Sequence, residues 1–447
     1  MRRGQAAGLR PAARHRGGRA CGLLVVAALA LMLPAAASAD QGHSIAADWL
    51  PPASHIDRLP SIIPRTPLRD AAEGANPSFL VTLGELVFRS PELLGGNAQG
   101  AGLSCNACHS GGDRNRSFFI PGLSGPPGTV DVTNHLWNPE NDDHRDDPLR
   151  IPSLRDVAQA APYGFRGLTY SLRDFVRHVI VVEFSGAEPQ PKLFDALIAY
   201  LDALAPLPDP LLTPDGSLAA AASPAARQGE RIFDQACAAC HTPEQGFRDG
   251  RLHDVGSGGP VETPTLLGTA AGGPYFHDGR YATLEAVIGH HQGGLSAKAA
   301  ASEMVRADLL AYLTTIGGGE RPVEPVTLHR DFARLERFLA LLHEPLASGD
   351  GALTGEISLM LRDELGRIDA RFPAQSGAPA KTAAAAAREL LLSFGRALDT
   401  IGQEAQAGRF AAARADLADL EPRIAAAPAR LEAALPGSLY LKAAGAK

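Results

Sequence analysis

The chain has 447 residues, with 42 basic and 49 acidic side chains and a net charge of -7. This acidic balance argues against a nucleic-acid-binding protein and favours a basic or mixed-charge partner, although surface acid also serves solubility alone. The length allows two or three domains. Abundant glycine and proline and an aromatic content of 6% favour short helices joined by long irregular loops.

The first 39 residues have the pattern of a cleaved secretion signal. Six arginines and no acidic residue precede an apolar run from Gly22 to Leu33, and residues 37–39 form a small-x-small cleavage site. The apolar run is too short to span a membrane, and no later stretch is apolar for about 18 residues. We therefore expect export to the periplasm, no membrane span, and a mature net charge of -13 from 36 basic and 49 acidic side chains.

Two Cys-x-x-Cys-His motifs, at residues 105–109 and 237–241, contain four of the five cysteines. The two thiols of such a motif lie on one helical turn, at a spacing that matches the two vinyl groups of a haem, and the histidine that follows can coordinate the iron. The sequence therefore predicts two covalently attached c-type haems. The attachment residues are Cys105, Cys108, Cys237 and Cys240, and the proximal iron ligands are His109 and His241.

The alternative interpretation of these cysteines is two disulfides or a four-cysteine zinc site, because an even cysteine count in an exported chain usually means disulfides. The histidine that directly follows each motif would then be a coincidence. We therefore favour haem.

An internal duplication relates the two motif-bearing halves. Ile-Pro-Ser-Leu at residues 151–154 matches Thr-Pro-Thr-Leu at residues 263–266, an offset of 112 that persists without a gap and pairs residues 162–163 with residues 274–275. The first half carries extra residues between its haem motif and this repeat. The inserted loop, residues 111–150, accounts for most of them.

These patterns predict a mainly α fold. We expect two tandem cytochrome c-like domains, at residues 40–206 and 207–319, each with an apolar helix before its haem motif and a closing helix at its end. Residues 320–447 show four runs of apolar residues at helical spacing and predict a C-terminal helical bundle that serves docking or structure.

The residue on the far side of each iron decides between electron transfer and chemistry. The duplication places His178 and His290 at the same point of the two halves. We favour His290 as the second ligand of the second iron, with the adjacent His291 and then Met304 as alternatives, because methionine and histidine are common axial ligands.

Two roles remain open for His178. It either closes the first iron as a sixth ligand or stands over an open iron as an acid–base group. Glu183, five residues later, is a second distal candidate. Reductive cleavage of a peroxide needs an open iron and one group that moves a proton between the two oxygens, and both side chains suit that task.

The block Pro-Tyr-Phe-His-Asp-Gly-Arg at residues 274–280, together with both haem motifs, resembles the bacterial di-haem cytochrome c peroxidase and MauG family over residues 83–316. This resemblance implies that the first haem reacts with peroxide and that the second relays electrons. It implies a catalytic distal glutamate near Glu183 and a relay-haem axial ligand at His290 or His291.

The sequence departs from the family pattern at two points. Relatives often carry a tryptophan between the haems in a Phe-Trp-Asp-Gly block, where this chain has Phe165. Relatives commonly bind calcium between the domains through residues just before the repeated Pro-Ser/Thr-Leu, where this chain has Arg150 and Ile151. The cluster of Asp142, Asp143, Asp146 and Asp147 is a candidate cation site, and a solvated loop is the alternative.

Three functions therefore compete. The leading one is a periplasmic di-haem peroxidase that reduces hydrogen peroxide with electrons from a small cytochrome c or cupredoxin. The second is a MauG-like oxidase that acts on a protein or organic partner. The third is a non-enzymatic two-haem electron carrier, in which His178 and His290 would be permanent ligands; fold alone does not separate them.

Overall fold

The computed structural model describes residues 50–56, 62–64, 66–69, 77–291, 294–318, 323–372 and 378–440. The predicted signal at residues 1–39 lies outside these ranges. The prediction of a mainly α fold is confirmed, since the strands of the described part are only two or three residues long and form three two-stranded antiparallel sheets. No helix in these ranges is long and apolar enough to cross a membrane.

The helices of the first half are numbered α1 to α5, and α3 contains the cysteines of its haem motif. They are α1 (Phe79–Arg89), α2 (Gly96–Gly100), α3 (Cys105–Cys108), α4 (Leu172–His178) and α5 (Pro191–Ala203). The hydroxyl of Ser78 caps α1 by accepting a hydrogen bond from the backbone N–H of Val81. The strands are β1 (Ile62–Pro64), β2 (Thr129–Val130) and β3 (Leu149–Arg150), and β2 pairs with β3 at the two ends of the inserted loop.

The second half repeats this arrangement with less loop. Its helices are α6 (Pro224–Ala236), α7 (Leu284–His290), α8 (Ala297–Ala301) and α9 (Glu303–Ile316), and its strands β4 (Leu252–His253) and β5 (Val261–Glu262) pair with each other. In both halves a tyrosine at the same repeat position donates its hydroxyl to a backbone carbonyl: Tyr163 to Val157, and Tyr275 to Thr269. The duplication read from the sequence is therefore also a duplication of contacts.

Helix crossing at a glycine is the clearest repeated contact. A Cβ atom added to Gly84 of α1 would lie 2.0 Å from the carbonyl oxygen of Ala196 in α5. A Cβ atom added to Gly229 of α6 would lie 2.0 Å from the carbonyl oxygen of Asp308 in α9. Only glycine allows the two helices of each pair to approach this closely.

Gly84→Ala is expected to destabilise the folded protein by about 1–3 kcal/mol, because the added methyl group forces α1 away from α5. Gly100→Ala is the matched control, since no atom lies within 4 Å of the added Cβ there. Urea unfolding of the two variants checks this prediction. Equal stability of both variants would contradict the close crossing.

The C-terminal helices share an apolar core with the first half. They are α10 (Leu328–Leu339), α11 (His343–Ser348), α12 (Gly351–Asp369), α13 (Ala378–Gln406), α14 (Phe410–Ala425) and α15 (Ala427–Leu431), preceded by β6 (Val323–Pro325), which pairs with β1. Their buried side chains are continuous with the buried face of α1 and α5, whereas the apolar residues of α6 and α9 form a separate cluster. The domain boundaries at residues 206 and 319 stay predictions.

A buried ion pair connects Glu364 of α12 with Arg89 of α1. Nε and Nη2 of Arg89 each donate to one carboxylate oxygen of Glu364 at 2.8 Å. Nη1 of Arg367 donates to the same carboxylate at 2.7 Å. The Ser90 hydroxyl, at the end of α1, donates to Asp363 at 2.6 Å. Because α1 precedes the first haem motif in the chain, these contacts with the C-terminal helices stabilise the helix before that motif.

Candidate haem sites and active site

A cavity of about 1080 Å³ lies beside the first Cys-x-x-Cys-His motif. Cys105, Cys108 and His109 line one side of it, and residues of α4 and the turn that follows α4 line another, including Glu183. A mostly apolar cavity with a few convergent polar groups is the usual form of a cofactor site. The structure therefore brings the predicted attachment residues and one predicted distal residue to a single space.

His109 is oriented for coordination through one nitrogen. Its Nδ1 lies 2.9 Å from the carbonyl oxygen of Pro152, and a carbonyl only accepts, so Nδ1 carries the proton and Nε2 keeps its lone pair. Burial lowers the pKa of His109 to about 4, against the smaller effect of the Pro152 carbonyl. The imidazole is therefore neutral at neutral pH, as a metal ligand must be.

His241 repeats this orientation in the second half. Its Nδ1 lies 3.2 Å from the carbonyl oxygen of Phe247, and burial lowers its pKa to about 4. The ring is 9% exposed. Both proximal histidines thus present Nε2 as the free ligand atom.

The four motif cysteines fit thioether bonds better than a metal-thiolate site. None of them forms a disulfide in the structure. Burial raises the pKa of Cys105 and of Cys237 to about 11 and also raises the pKa of Cys108. A thioether has no charge to bury, so these buried positions are compatible with cysteines bonded covalently to a haem. The donor set therefore fits covalent haem.

His291, rather than His290, is the histidine whose ring faces that of His241. The ring of His291 lies 6.3 Å from the ring of His241, centroid to centroid. Two imidazoles that share one metal ion, each at a metal–nitrogen distance of about 2 Å, have centroids about 6 Å apart. His290 instead packs on Tyr281 and Phe276, at 5.3 and 5.5 Å.

The duplication favours His290, whereas this geometry favours the alternative, His291. His290 ends α7, and His291 is the first residue after it, with φ of -93° and ψ of 86°, outside the helical region. Met304, the third candidate, lies on α9 and is 73% exposed. The geometry favours His291, and the ligand assignment itself stays a proposal.

His291→Ala is expected to abolish the low-spin EPR signal of the second haem in the holoprotein, because the iron loses one of its two histidine ligands. His290→Ala is the matched control and should leave that signal in place. A signal lost in the His290 variant and kept in the His291 variant would reverse the assignment.

His178 and Glu183, the two predicted distal residues of the first haem, form a hydrogen-bonded pair. Nε2 of His178 lies 3.1 Å from Oε1 of Glu183. Glu183 lines the cavity and its side chain is 12% exposed, whereas His178 is 31% exposed. His178 therefore contacts the carboxylate of Glu183 and is not among the residues that line the cavity.

A π-helical turn, Val179–Glu183, follows α4 and carries Glu183. Such turns are rare and are frequent at functional sites, because the extra residue re-aims a side chain. Here the turn directs the carboxylate of Glu183 into the cavity while His178, at the end of α4, stays within reach of it.

The inserted loop holds this turn from the other side. Nδ2 of Asn141 lies 3.5 Å from Oε2 of Glu183, and Nδ2 of Asn138 donates to the carbonyl of Val182 at 2.5 Å. The buried ring of Trp137 packs 5.8 Å from that of Phe184. Sequence reasoning missed Asn141, because nothing in the pattern of a polar loop marks one asparagine as a partner of a distant carboxylate.

Burial raises the pKa of Glu183 above its ordinary value. His178 opposes this increase, and the acidic side chains of Asp131 and Asp143 add to it. The carboxyl group is thus easier to protonate than a surface glutamate. This property suits a group that both accepts and returns a proton near neutral pH.

The aspartates of the inserted loop do not assemble a cation site. Asp142 hydrogen-bonds His144, and Asp143, Asp146 and Asp147 lie on the cavity wall. Among the residues that the structure describes, the carboxylates of this cluster do not bring three ligand atoms within 4.8 Å of one another. Arg150 occupies the other calcium candidate position and donates from Nε to the carbonyl of Phe276 at 3.1 Å. Calcium at either position has no support in this geometry.

Phe165 lies at the seam between the halves. Its ring is 6.4 Å from that of His277, and its carbonyl accepts a hydrogen bond from the backbone N–H of Glu262 in β5. Both rings line the cavity. An aromatic side chain thus occupies the predicted position, but one that is harder to oxidise than tryptophan.

Part of the second half is similar to a described family. Residues 232–313 match the family model described as di-haem cytochrome c peroxidase. The methylamine utilization protein MauG of Methylorubrum extorquens is 31% identical over a match that covers 20% of this chain and 34% of that relative, so the chain spans about a third of its length. A structure of Kuenenia stuttgartiensis hydrazine synthase matches 54% of this chain and 88% of that one, at 22% identity and a TM-score of 0.40.

These matches confirm the family resemblance of the second haem motif and of the block at residues 274–280. Two covalently bound c-type haems are the cofactors that this family and the two motifs of the chain share. The family match begins after residue 231. For the first half, the evidence is therefore its own motif and the contacts that repeat those of the second half.

Proposed function

Because residues 232–313 match the family model described as di-haem cytochrome c peroxidase, we propose that the chain reduces hydrogen peroxide to water at the haem held by His109, with electrons relayed from the haem held by His241. The balanced reaction consumes one peroxide, two electrons and two protons, and releases two waters. The proposal assigns different tasks to two halves that share one ancestry.

The observation that carries this proposal is an asymmetry between the halves. The first half places the carboxylate of Glu183 on the wall of the cavity that also holds His109. At the repeat offset of 112, the corresponding residue of the second half is Leu295, and the second proximal histidine faces His291 instead. Among the residues that the structure describes, this arrangement supports proton transfer at the first site and electron transfer at the second.

The haem, when bound, supplies an iron that takes the peroxide and delivers electrons to it. The chain supplies the rest. His109, held by the Pro152 carbonyl, fixes the proximal side. Oε2 of Glu183 takes a proton from the near oxygen of the peroxide and returns it to the far oxygen, which leaves as water. The hydrogen bond from His178 to Oε1 keeps the carboxylate in place during this exchange.

The electrons come from outside the chain. We expect a small redox protein, a cytochrome c or a cupredoxin, as the donor, and the periplasm as the compartment, because the sequence predicts a secretion signal and an acidic mature chain. The acidic surface favours a donor with a basic face.

A MauG-like oxidase is the second candidate, favoured by the 31% identity to MauG of Methylorubrum extorquens. In that case the oxidising equivalents would pass to a protein or organic partner. The third candidate, an electron carrier with His178 as a permanent ligand, conflicts with the hydrogen bond between His178 and Glu183.

The proposal is tested by mixing the holoprotein with hydrogen peroxide and a reduced small cytochrome c or cupredoxin. We expect peroxide-dependent oxidation of two donor molecules for each peroxide consumed. Slow peroxide loss without donor oxidation, together with covalent change in a co-expressed protein, would favour the oxidase. No peroxide consumption by a protein with full haem content would overturn both.

A further inference from the structure

Arg114, Arg150 and Arg155 are three of the seven arginines that line the cavity beside the first haem motif. Arg114 is 8% exposed, and the side chain of Arg155 is 9% exposed. Buried guanidinium groups are rare unless they are paired with anions, because they lose their hydration. Their hydrogen-bond and ion-pair partners therefore show whether an anion is missing from the site.

Among the described residues, these three cations make one salt bridge. Arg155 lies 3.1 Å from a carboxylate oxygen of Asp113, but its buried Nε has no hydrogen-bond partner within the described chain. Arg114 donates from Nη2 to the carbonyl of Gly272 at 2.8 Å. Arg150 donates to the carbonyl of Phe276. Carbonyls satisfy donors, but they do not neutralise charge.

Two neighbouring arginines have a larger effect on the pKa of Arg114 than the neighbouring Asp113 has. Burial, followed by repulsion from Arg150 and Arg116, lowers the pKa of Arg114 to about 9. Glu262 acts electrostatically on Arg150, but burial raises its own pKa to about 7. Other carboxylates of the cavity wall, such as Asp156 and Asp278, pair with Arg248 and Arg280 instead.

We propose that Arg114 and Arg155, with Arg150, form a carboxylate-binding site in this cavity. A planar guanidinium group suits a carboxylate because two parallel N–H donors meet its two oxygens. The carboxylates come from one of two sources, the propionates of the haem attached at Cys105 and Cys108 or a free organic carboxylate. This site does not depend on whether the protein acts as a peroxidase.

The arginines also connect the halves. Arg114 and Arg150 belong to the first half, and the carbonyls that they hold, at Gly272 and Phe276, belong to the second. A carboxylate bound here would therefore complete a charged seam between the two haem-bearing halves.

The test uses the holoprotein and its Arg114→Gln variant, with Arg396→Gln as the control. Arg396 is a half-exposed arginine of α13 that pairs with Glu389 and is not among the residues that line the cavity. The first readout is the midpoint potential of the first haem, measured by spectroelectrochemical titration without added anion. The second is the optical change of the oxidised protein on titration with acetate.

If the propionates occupy the site, Arg114→Gln lowers the midpoint potential of the first haem, because a positive charge that favoured the reduced form is gone, and acetate has no effect on either protein. If a free carboxylate occupies it, the potential is unchanged without acetate, and acetate gives a saturable change that weakens about tenfold or more in the variant, the loss of one charge-assisted contact. Both outcomes support the site.

The proposal is overturned if neither readout differs between the wild type and Arg114→Gln at full haem content, or if Arg396→Gln produces the same change. Arg155→Gln, read in the same two ways, replaces Arg114→Gln if that variant does not fold. Arg114→Lys should restore the potential only in part, because lysine keeps the charge but lacks the paired donors.

Discussion

Glu183→Gln is expected to lower kcat for peroxide reduction by about 10²–10⁴-fold, the usual contribution of a positioned acid–base group. Glutamine keeps the shape of the side chain and still reaches His178 and Asn141, but it can neither accept nor return the proton. Stopped-flow measurement of peroxide consumption by the reduced holoprotein checks this prediction.

Glu188→Gln is the control for this variant. Glu188 lies five residues away, pairs with Arg177 on the surface, and does not line the cavity. We expect its kcat to equal that of the wild type. An unchanged kcat in Glu183→Gln would show that proton transfer uses another group, and the assignment of the active site would fail.

Glu364→Gln is expected to reduce the free energy of unfolding by about 3–5 kcal/mol, the cost of removing one partner from a buried ion pair. The variant leaves the guanidinium groups of Arg89 and Arg367 buried without the carboxylate that they share. Glu389→Gln, which removes an exposed pair with Arg396, should unfold like the wild type. Chemical denaturation of both variants makes the comparison.

The pH dependence of this difference has a defined sign. Burial opposes ionisation of Glu364, but Arg89 and Arg367 outweigh it and lower its pKa from the ordinary 4.5 to about 2. A lowered pKa in the folded state stabilises the protein above the ordinary value and loses that effect as the pH falls through the folded value. The wild type should therefore keep its advantage at neutral pH and lose it between about pH 4.5 and pH 2. A gap that widens on acidification would contradict the ion-pair account.

The haem motifs and the repeat could be read from the sequence because each is local. A Cys-x-x-Cys-His motif needs only five consecutive residues, and the offset of 112 links residues that make the same contact in both halves, such as Tyr163 and Tyr275 with their hydroxyl hydrogen bonds. The helical spacing of Leu328, Phe332, Leu335 and Phe338 likewise predicted a face that is buried in the structure.

Side-chain direction and long-range partners could not be read in this way. His290 and His291 differ by one position, and the end of α7 between them, rather than any pattern, decides which ring faces His241. Asn141 and Arg114 lie in a loop without periodicity, so only the folded chain brings them to Glu183 and to the cavity. The docking of α12 on α1 rests on charged pairs between segments more than 270 residues apart.

The central claim is that the first iron is open to peroxide and the second supplies electrons to it. The most direct measurement is an optical and EPR titration of the fully reduced holoprotein with hydrogen peroxide, without added donor. We predict one high-spin and one low-spin haem, and rapid loss of two electrons for each peroxide added. Two low-spin haems that do not react with stoichiometric peroxide would contradict the claim and leave an electron carrier as the function.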